Sequence, residues 1–222
     1  MCVKFMKFRT KMGGYMKNFR LFLGLQLSPP AKAYLGCRMS AMARELPFRQ
    51  WTHSEDLHVT LHFLGDTPAS RLAALGDAAA AAAARAAPFT LALTNAGTFG
   101  SPSAPRVLWC GVAEPAAAPG ALAELHAALG ESLNASGFAT EARPFRAHAT
   151  LARGWSGAAG AAGDPAAAIA AAWQAAPCDA PHAAAAWTAD AVTLFRTHLG
   201  RRPSYEVLAI FPFGGGKELA LQ

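Results

Sequence analysis

The 222-residue sequence has few cysteines, and they do not form a recognisable metal or redox motif. Cys2, Cys37, Cys110 and Cys178 lie far apart, and no C-x-x-C spacing occurs. The sequence therefore predicts neither a structural zinc site nor a dithiol redox centre. Four dispersed thiols are typical of a reducing compartment, so we expect a cytoplasmic protein.

Long uninterrupted apolar runs are also missing. The alanine-rich stretches 73–87 and 157–173 contain charged residues, among them Asp77, Arg85 and Asp164. A helix that crosses a bilayer needs about 20 consecutive, mostly apolar residues. We therefore expect no membrane association.

Acidic residues are absent from the first 20 positions, which hold six lysines and arginines. Taking these six from the 20 basic residues of the chain leaves 14, which equals the 14 acidic residues. The net charge of +6 thus belongs to the N-terminal segment and does not indicate a nucleic-acid-binding surface on the rest. We interpret residues 1–19 as a basic extension without fixed structure and 20–222 as the folded domain. A targeting or RNA-tethering arm is the alternative for the extension.

Turn and capping residues divide the chain into short strands and helices. Ser28 and Asp164, each followed by proline, predict helix starts, and Thr67-Pro68 repeats that signal. Gly137 predicts the end of a helix over 119–135. The Gly/Ser/Pro-rich segment 97–105 predicts a loop. Strands are predicted near 20–27, 57–63, 89–95, 106–112, 147–152, 187–196 and 204–212.

The same tetrapeptide pattern occurs once in each half of the chain. His58-Val59-Thr60-Leu61 and His148-Ala149-Thr150-Leu151 are 90 residues apart. Helix-strand-strand patterns also appear twice. We therefore predict an α+β fold that is bilobal, with two antiparallel sheets and flanking helices around a central cleft, related by a pseudo-twofold repeat.

Both tetrapeptides fall on predicted strands, where side chains alternate between faces. His58 and Thr60 then share one face, and His148 and Thr150 share one face of the other strand. Two imidazoles with pKa values near neutrality can transfer protons to and from a reacting phosphodiester. Threonine hydroxyls can donate to the phosphate oxygens, where negative charge accumulates. This chemistry requires no metal, and the residues alone leave open which histidine is the acid.

Several longer segments carry a family resemblance. The segments Asp56–Asp66 and Phe145–Arg153, supported by Arg20–Leu25, Arg106–Val112 and Tyr205–Leu208, resemble the LigT-like RNA 2′,3′-cyclic phosphodiesterases of the two-histidine phosphoesterase superfamily. The resemblance covers about residues 20–213. It implies a bilobal α+β fold and an enzyme that opens 2′,3′-cyclic phosphates to 2′-phosphates.

The resemblance also implies roles for single residues. His58 is expected to be the proton donor to the leaving oxygen, and His148 the proton acceptor that activates water. The chain departs from the family at Ala147, where proline is common, and at Thr197, where serine is common. Neither change removes a catalytic group.

Three further residues are candidates for substrate contact. Arg153 could bind the phosphate, although five residues after His148 it need not share the catalytic face. Phe99, in the predicted loop, could stack on a base. His62 should share the face of Thr60, although a surface position is the alternative. No metal site is predicted, because His58 and His62 would be about 13 Å apart on a strand.

The sequence thus predicts a monomeric hydrolase that needs no cofactor and acts on RNA 3′ ends or small cyclic nucleotides. Two alternatives stay open. The same pocket could bind a nucleotide without turnover, or the reverse chemistry could give 2′-5′ RNA ligase activity.

Overall fold

The computed structural model describes residues 17–116, 119–157, 164–176 and 182–215. Most of the predicted basic extension, and the Gly/Ala-rich segment 158–163, lie outside these residues. Residues 18 and 19, assigned to that extension, belong to the first strand.

Strands and helices follow one another in a mixed order. The nine strands of the described residues are β1 (Asn18–Gln26), β2 (Phe48–Trp51), β3 (His58–Pro68), β4 (Phe89–Ser101), β5 (Ala104–Ala113), β6 (His148–Trp155), β7 (Ala186–Ala189), β8 (Ala191–Thr197) and β9 (Tyr205–Pro212). The α-helices are α1 (Pro29–Met42), α2 (Leu72–Ala83), α3 (Ala121–Ala135) and α4 (Pro165–Ala175).

Helix ends follow the predicted capping chemistry in three cases. The Ser28 and Asp164 side chains accept hydrogen bonds from the backbone N–H groups of Ala31 and Ala166, so both caps are confirmed. Gly137 follows α3 with a φ of 75°, as a C-terminal glycine should. The predicted cap at Thr67 is wrong, because β3 continues to Pro68 and the buried Thr67 pairs with Phe19.

The predicted loop over 97–105 is also wrong. β4 extends to Ser101 and β5 begins at Ala104, so a tight hairpin replaces the loop. Gly100 has a φ of 114° and lies 2.7 Å, measured from an ideal Cβ, from the backbone nitrogen of Arg106. Glycines that favour turns can also sit within long strands where a neighbouring backbone comes this close.

The sheet has a symmetric strand order. Its path is β7-β4-β5-β6-β3-β1-β8-β9, and β2 pairs with β6. Read outward from the β6–β3 contact, the halves match as β6 with β3, β5 with β1 and β4 with β8. All strand pairs among the described residues are antiparallel, so the predicted α+β class is confirmed. The strands form one curled sheet rather than two separate ones, because β3 and β6 pair with each other.

The apolar core lies on one face of the central strands. Alternate residues of β1, namely Leu21, Leu23 and Leu25, are at most 1% exposed. They join buried residues of all four helices in one cluster. The sheet therefore has a face covered by the core, and the residues between these leucines point to its other face. In the part of the chain that the structure describes, no helix is both long and apolar enough to span a membrane.

Gly24 should be required for the close approach of β1 to β3. An ideal Cβ at Gly24 would lie 2.6 Å from the carbonyl oxygen of Val59, which is backbone and cannot rotate away. Gly24→Ala should therefore lower the free energy of unfolding by about 1–3 kcal/mol. The control is Gly36→Ala on α1, where a Cβ meets nothing within 4 Å. That change should raise stability by about 0.5–1 kcal/mol. Urea unfolding would measure both, and equal effects would contradict the prediction.

Candidate active site

The two tetrapeptides meet where the halves of the sheet join. Val59 of β3 pairs with Ala149 of β6, and this is the register pair that joins the two strands. Both residues are 0% exposed, so they anchor the centre of each tetrapeptide in the core. Their sequence neighbours must therefore point to the opposite face.

This register brings all four polar side chains together. Continued on either side of the Val59–Ala149 pair, it places His58 across from Thr150 and Thr60 across from His148. The two histidines then lie on a diagonal, and diagonal neighbours across a strand pair are separated by about 7–8 Å. The predicted convergence of the four side chains follows from this geometry.

Each imidazole is oriented by a carbonyl two residues earlier in the chain. His58 Nδ1 lies 2.7 Å from the carbonyl oxygen of Asp56, and His148 Nδ1 lies 2.7 Å from that of Arg146. A carbonyl only accepts, so both Nδ1 atoms donate. In the neutral rings this leaves each Nε2 as an acceptor. His58 Nε2 lies 2.9 Å from Thr60 Oγ, which donates to it.

Both imidazoles are poised to release a proton easily. Burial lowers the pKa of His58 to about 4, and the charges of His148 and Arg153 act in the same direction. The Asp56 carbonyl and carboxylate oppose this shift. Burial also lowers the pKa of His148. A charge on His148 disfavours a charge on His58, so we expect the titrations of the two histidines to be linked.

A β-bulge follows the threonine in each tetrapeptide. Gly24 pairs with Thr60 and Leu23 with His62, so Leu61 is the extra residue on β3. Likewise Trp109 pairs with Thr150 and Leu108 with Ala152 on the other half, which leaves Leu151 extra on β6. A bulge shifts the alternation of side chains by one residue. The alternation that puts each histidine and threonine on one face therefore breaks at the leucine that ends each tetrapeptide, Leu61 or Leu151.

The bulge at Leu61 turns His62 away from the catalytic face, so its predicted position there is wrong. His62 is 5% exposed and packs beneath α3. Its Nε2 donates to the carbonyl oxygen of His126 at 2.9 Å, and the two rings stack with centroids 4.2 Å apart. Simple alternation fails here because one residue of β3 has no partner on β1.

The matching bulge at Leu151 returns Arg153 to the face of His148. Arg153 pairs with Val107 and is exposed. Its charge adds to the lowering of the His58 and His148 pKa values by burial, and it opposes the rise that burial causes in the pKa of Tyr205, so the guanidinium lies within electrostatic range of all three. Five residues after His148, Arg153 would face the other way on a regular strand. Because of the bulge it faces the same way and lies beside the histidines.

Aromatic rings pack against both histidines. Phe99 lies on β4, not in a loop, and its ring meets His148 edge-on at 5.0 Å and Trp109 at 5.2 Å. In the other half Phe195 and Tyr205 lie 5.5 and 5.0 Å from the His58 ring. These rings limit the movement of the imidazoles. Stacking of a base on Phe99 stays a prediction.

Asp56 is the site residue that the sequence did not reveal. It is 5% exposed, and its carboxylate accepts hydrogen bonds from the backbone N–H groups of Ser204 and Tyr205. An acidic residue two places before a histidine is common and gives no signal by itself. The hydrogen-bond partners of Asp56 lie about 150 residues away in the sequence. Only the folded chain identifies it.

A large hollow in the surface is lined by neither His58 nor His148. This hollow, of about 740 Å³, lies between α1 and the segment 51–55. Gln26, which pairs with His58, forms part of its wall. Over the described residues, no three His, Cys, Asp or Glu side chains are grouped closely enough to hold a metal ion.

Known proteins resemble this chain in sequence and in fold. A family model described as LigT-like phosphoesterase matches residues 35–109 and 112–205. An RNA 2′,3′-cyclic phosphodiesterase of Geobacillus stearothermophilus is 37% identical over 203 residues, 91% of this chain and 60% of the relative. The chain thus spans less than two thirds of that relative's length.

Two further comparisons agree with this result. An RNA 2′,3′-cyclic phosphodiesterase of Bacillus subtilis is 31% identical over 76% of this chain and 81% of its own length. The crystal structure of E. coli LigT complexed with 3′-AMP is 25% identical, with a TM-score of 0.64. That comparison covers 89% of this chain and 99% of the LigT chain.

The buried His62–His126 stack should make stability depend on pH. Burial lowers the pKa of both rings, so the unfolded chain binds more protons below its ordinary histidine pKa of about 6.5. Stability is then fully present above that pH and is lost as pH falls towards the folded-state values. Glu141 opposes the shift at His62 without removing it.

His62→Gln should flatten this dependence, because glutamine can still donate to the His126 carbonyl but does not titrate. The measurement is urea unfolding at about pH 7.5 and about pH 5, on either side of the ordinary histidine pKa. His53→Gln, outside the stack, is the control. An equal loss of stability in the wild type and in His62→Gln would contradict the prediction.

Proposed function

We propose that this chain, which belongs to the LigT-like phosphoesterase family, opens 2′,3′-cyclic phosphate ends of RNA or nucleosides to 2′-phosphates by metal-independent acid–base catalysis. The observation that carries the proposal is the pair of imidazoles on one face, each with Nδ1 bonded to a carbonyl. The names of the Geobacillus and Bacillus relatives support the substrate class.

The proposed reaction is an in-line displacement at phosphorus. His148 accepts a proton from the attacking water through Nε2, and His58 donates a proton from Nε2 to the leaving 3′ oxygen. The oxygen–phosphorus bond to the 3′ position breaks as the bond to water forms, which leaves a 2′-phosphate. The assignment of donor and acceptor follows the family resemblance.

The low pKa of His58 bears on its proposed role as the acid, because about 4 is the value for a ring without a neighbouring phosphate. A bound phosphodiester carries a negative charge, and an opposite charge within a few ångströms favours the protonated imidazole. Substrate binding would thus raise the pKa of the donor. Arg153, on the same face as His148, would balance part of that charge.

Thr60, Thr150 and Arg153 are proposed to bind the phosphate. An antiparallel register continued by one residue on either side of the Val59–Ala149 pair would set each threonine across from the histidine of the other tetrapeptide. Their hydroxyls can donate to the non-bridging oxygens while the exposed Arg153 guanidinium supplies positive charge. The proposed substrates are RNA 3′ ends or small cyclic nucleotides, acted on by a monomer in the cytoplasm.

A product assay tests the proposed activity directly. The wild type, in excess chelator, should convert a nucleoside 2′,3′-cyclic phosphate to the 2′-phosphate, and His148→Ala should be slower by about 10²–10⁴-fold. Phosphorus NMR distinguishes the 2′- from the 3′-phosphate. Loss of wild-type activity in chelator would show that the mechanism requires a metal. Tight binding of the nucleotide without turnover would indicate a binding module instead.

A sulfur-substituted substrate tests which histidine is the acid. A thiolate leaves without a proton, so replacing the 3′ bridging oxygen by sulfur removes the need for a proton donor. His58→Ala should lose about 10²–10⁴-fold on the oxygen substrate and far less on the sulfur substrate. His148→Ala should be slow on both. The reverse pattern would show that the two roles are exchanged.

Arg153→Gln should lower kcat/KM far more than Arg49→Gln, which changes an arginine on the other face of the β2–β6 pair. Gln50 pairs with Arg153, and Arg49, one residue away, leaves the opposite face of β2. We expect kcat/KM to fall about 10-fold or more for Arg153→Gln, since a charge-assisted hydrogen bond contributes roughly 1.5–3 kcal/mol. Arg49→Gln should behave as the wild type. Similar losses in both variants would contradict a phosphate contact at Arg153.

A further inference from the structure

Asp56 forms hydrogen bonds both to His58 itself and to the segment that carries Tyr205, whose ring contacts His58. Its carboxylate accepts from Ser204 N–H, at 3.0 and 2.8 Å to its two oxygens, and from Tyr205 N–H at 3.0 Å. Its own carbonyl oxygen accepts from His58 Nδ1 at 2.7 Å. One residue thus links the start of β9 to the histidine of β3.

The residue held by this carboxylate is placed directly against the imidazole. The Tyr205 ring meets the His58 ring edge-on, with centroids 5.0 Å apart and planes at 88°. Phe22 packs against both rings, at 4.6 Å from His58 and 4.9 Å from Tyr205. The His58 ring is therefore held at Nδ1 by the Asp56 carbonyl and packed against Tyr205, whose backbone N–H bonds the Asp56 carboxylate.

A carboxylate is a costly choice for a purely structural link. Burying a charge is unfavourable unless it is paired, and Asp56 forms no ion pair within 4 Å among the residues that the structure describes. A neutral asparagine could accept from the Ser204 and Tyr205 N–H groups through its one amide oxygen, but its amide nitrogen could not accept the second bond from Ser204 N–H. The negative charge does, however, favour the protonated form of the nearby His58 ring.

We propose that Asp56 is a positioning residue that fastens Tyr205 against His58 and, through its charge, keeps that imidazole able to act as the proton donor. This inference rests on the proposed function for its effect on rate. Its effect on the imidazole itself does not depend on any activity. The charged or titratable groups that act on His58 are Asp56, His148 and Arg153, and Tyr205 packs against it.

Two substitutions separate the hydrogen bonds from the charge. Asp56→Asn removes the charge and the Oδ2 acceptor but can keep the Oδ1 bonds to Ser204 and Tyr205, whereas Asp56→Ala removes the charge and all of these bonds. We expect kcat to fall in the order wild type, Asp56→Asn, Asp56→Ala, by up to about 100-fold, with KM within about twofold. Glu206→Gln, an exposed neighbour of Tyr205 that bonds Arg196 and His198, is the control and should match the wild type.

Long-range proton–nitrogen NMR of the histidine rings gives a readout that needs no substrate. In Asp56→Asn the titration midpoint of His58 should move to lower pH, because the carboxylate charge that raised it is gone. In Asp56→Ala the single Nδ1–H tautomer should give way to a mixture. If Asp56→Ala does not fold, the His58 midpoint in Asp56→Asn still tests the effect of the charge.

The outcomes distinguish this inference from the proposed function. If the wild type is inactive on cyclic phosphates, the proposed function fails, while the NMR titration still tests Asp56. If the wild type is active and Asp56→Asn keeps its kcat and the His58 midpoint, the role of the charge is wrong. If Asp56→Ala also keeps its kcat and the single Nδ1–H tautomer of His58, the positioning role is wrong. A lower melting temperature with unchanged kcat and midpoint would show that Asp56 only stabilises the fold.

Discussion

The pairing of Val59 with Ala149 is the contact on which the site depends. It joins the two halves of the sheet, and its two fully buried members sit between the histidine and threonine of each tetrapeptide. Burying these small apolar side chains directs the four polar neighbours to the other face. The arrangement of the two histidines and two threonines is thus a consequence of core packing at the join, and a larger residue at either buried position would push the two halves apart.

The paired bulges explain both the symmetry of the site and its one asymmetry. Leu61 and Leu151 are each the extra residue of their strand, so the catalytic face ends after the threonine and resumes two residues beyond the leucine. In one half that place holds Arg153, and in the other it holds Phe63, over which Arg20 lies at 5.0 Å. Two nearly equivalent halves therefore offer different groups to a bound phosphate.

Electrostatics in the site are set by few groups acting over short distances. Burial favours neutral imidazoles, the backbone carbonyls of Asp56 and Arg146 favour protonated ones, and Arg153 opposes a charge on either ring. A phosphate would add negative charge to this balance and shift it towards protonation. The overall net charge of the chain contributes nothing to this argument, since the excess of basic residues lies in the first 20 positions.

The sequence by itself determined the α+β class, the caps at Ser28 and Asp164, and the four polar residues of the tetrapeptides, because these follow from local chemistry and short periodicity. Only the tertiary structure decided the faces of His62 and Arg153, since a bulge is defined by the partner strand and leaves no mark in the residues themselves. It also decided the place of Asp56, whose partners are about 150 residues away. Local patterns identify the groups that can react, and pairing across the fold determines which of them meet.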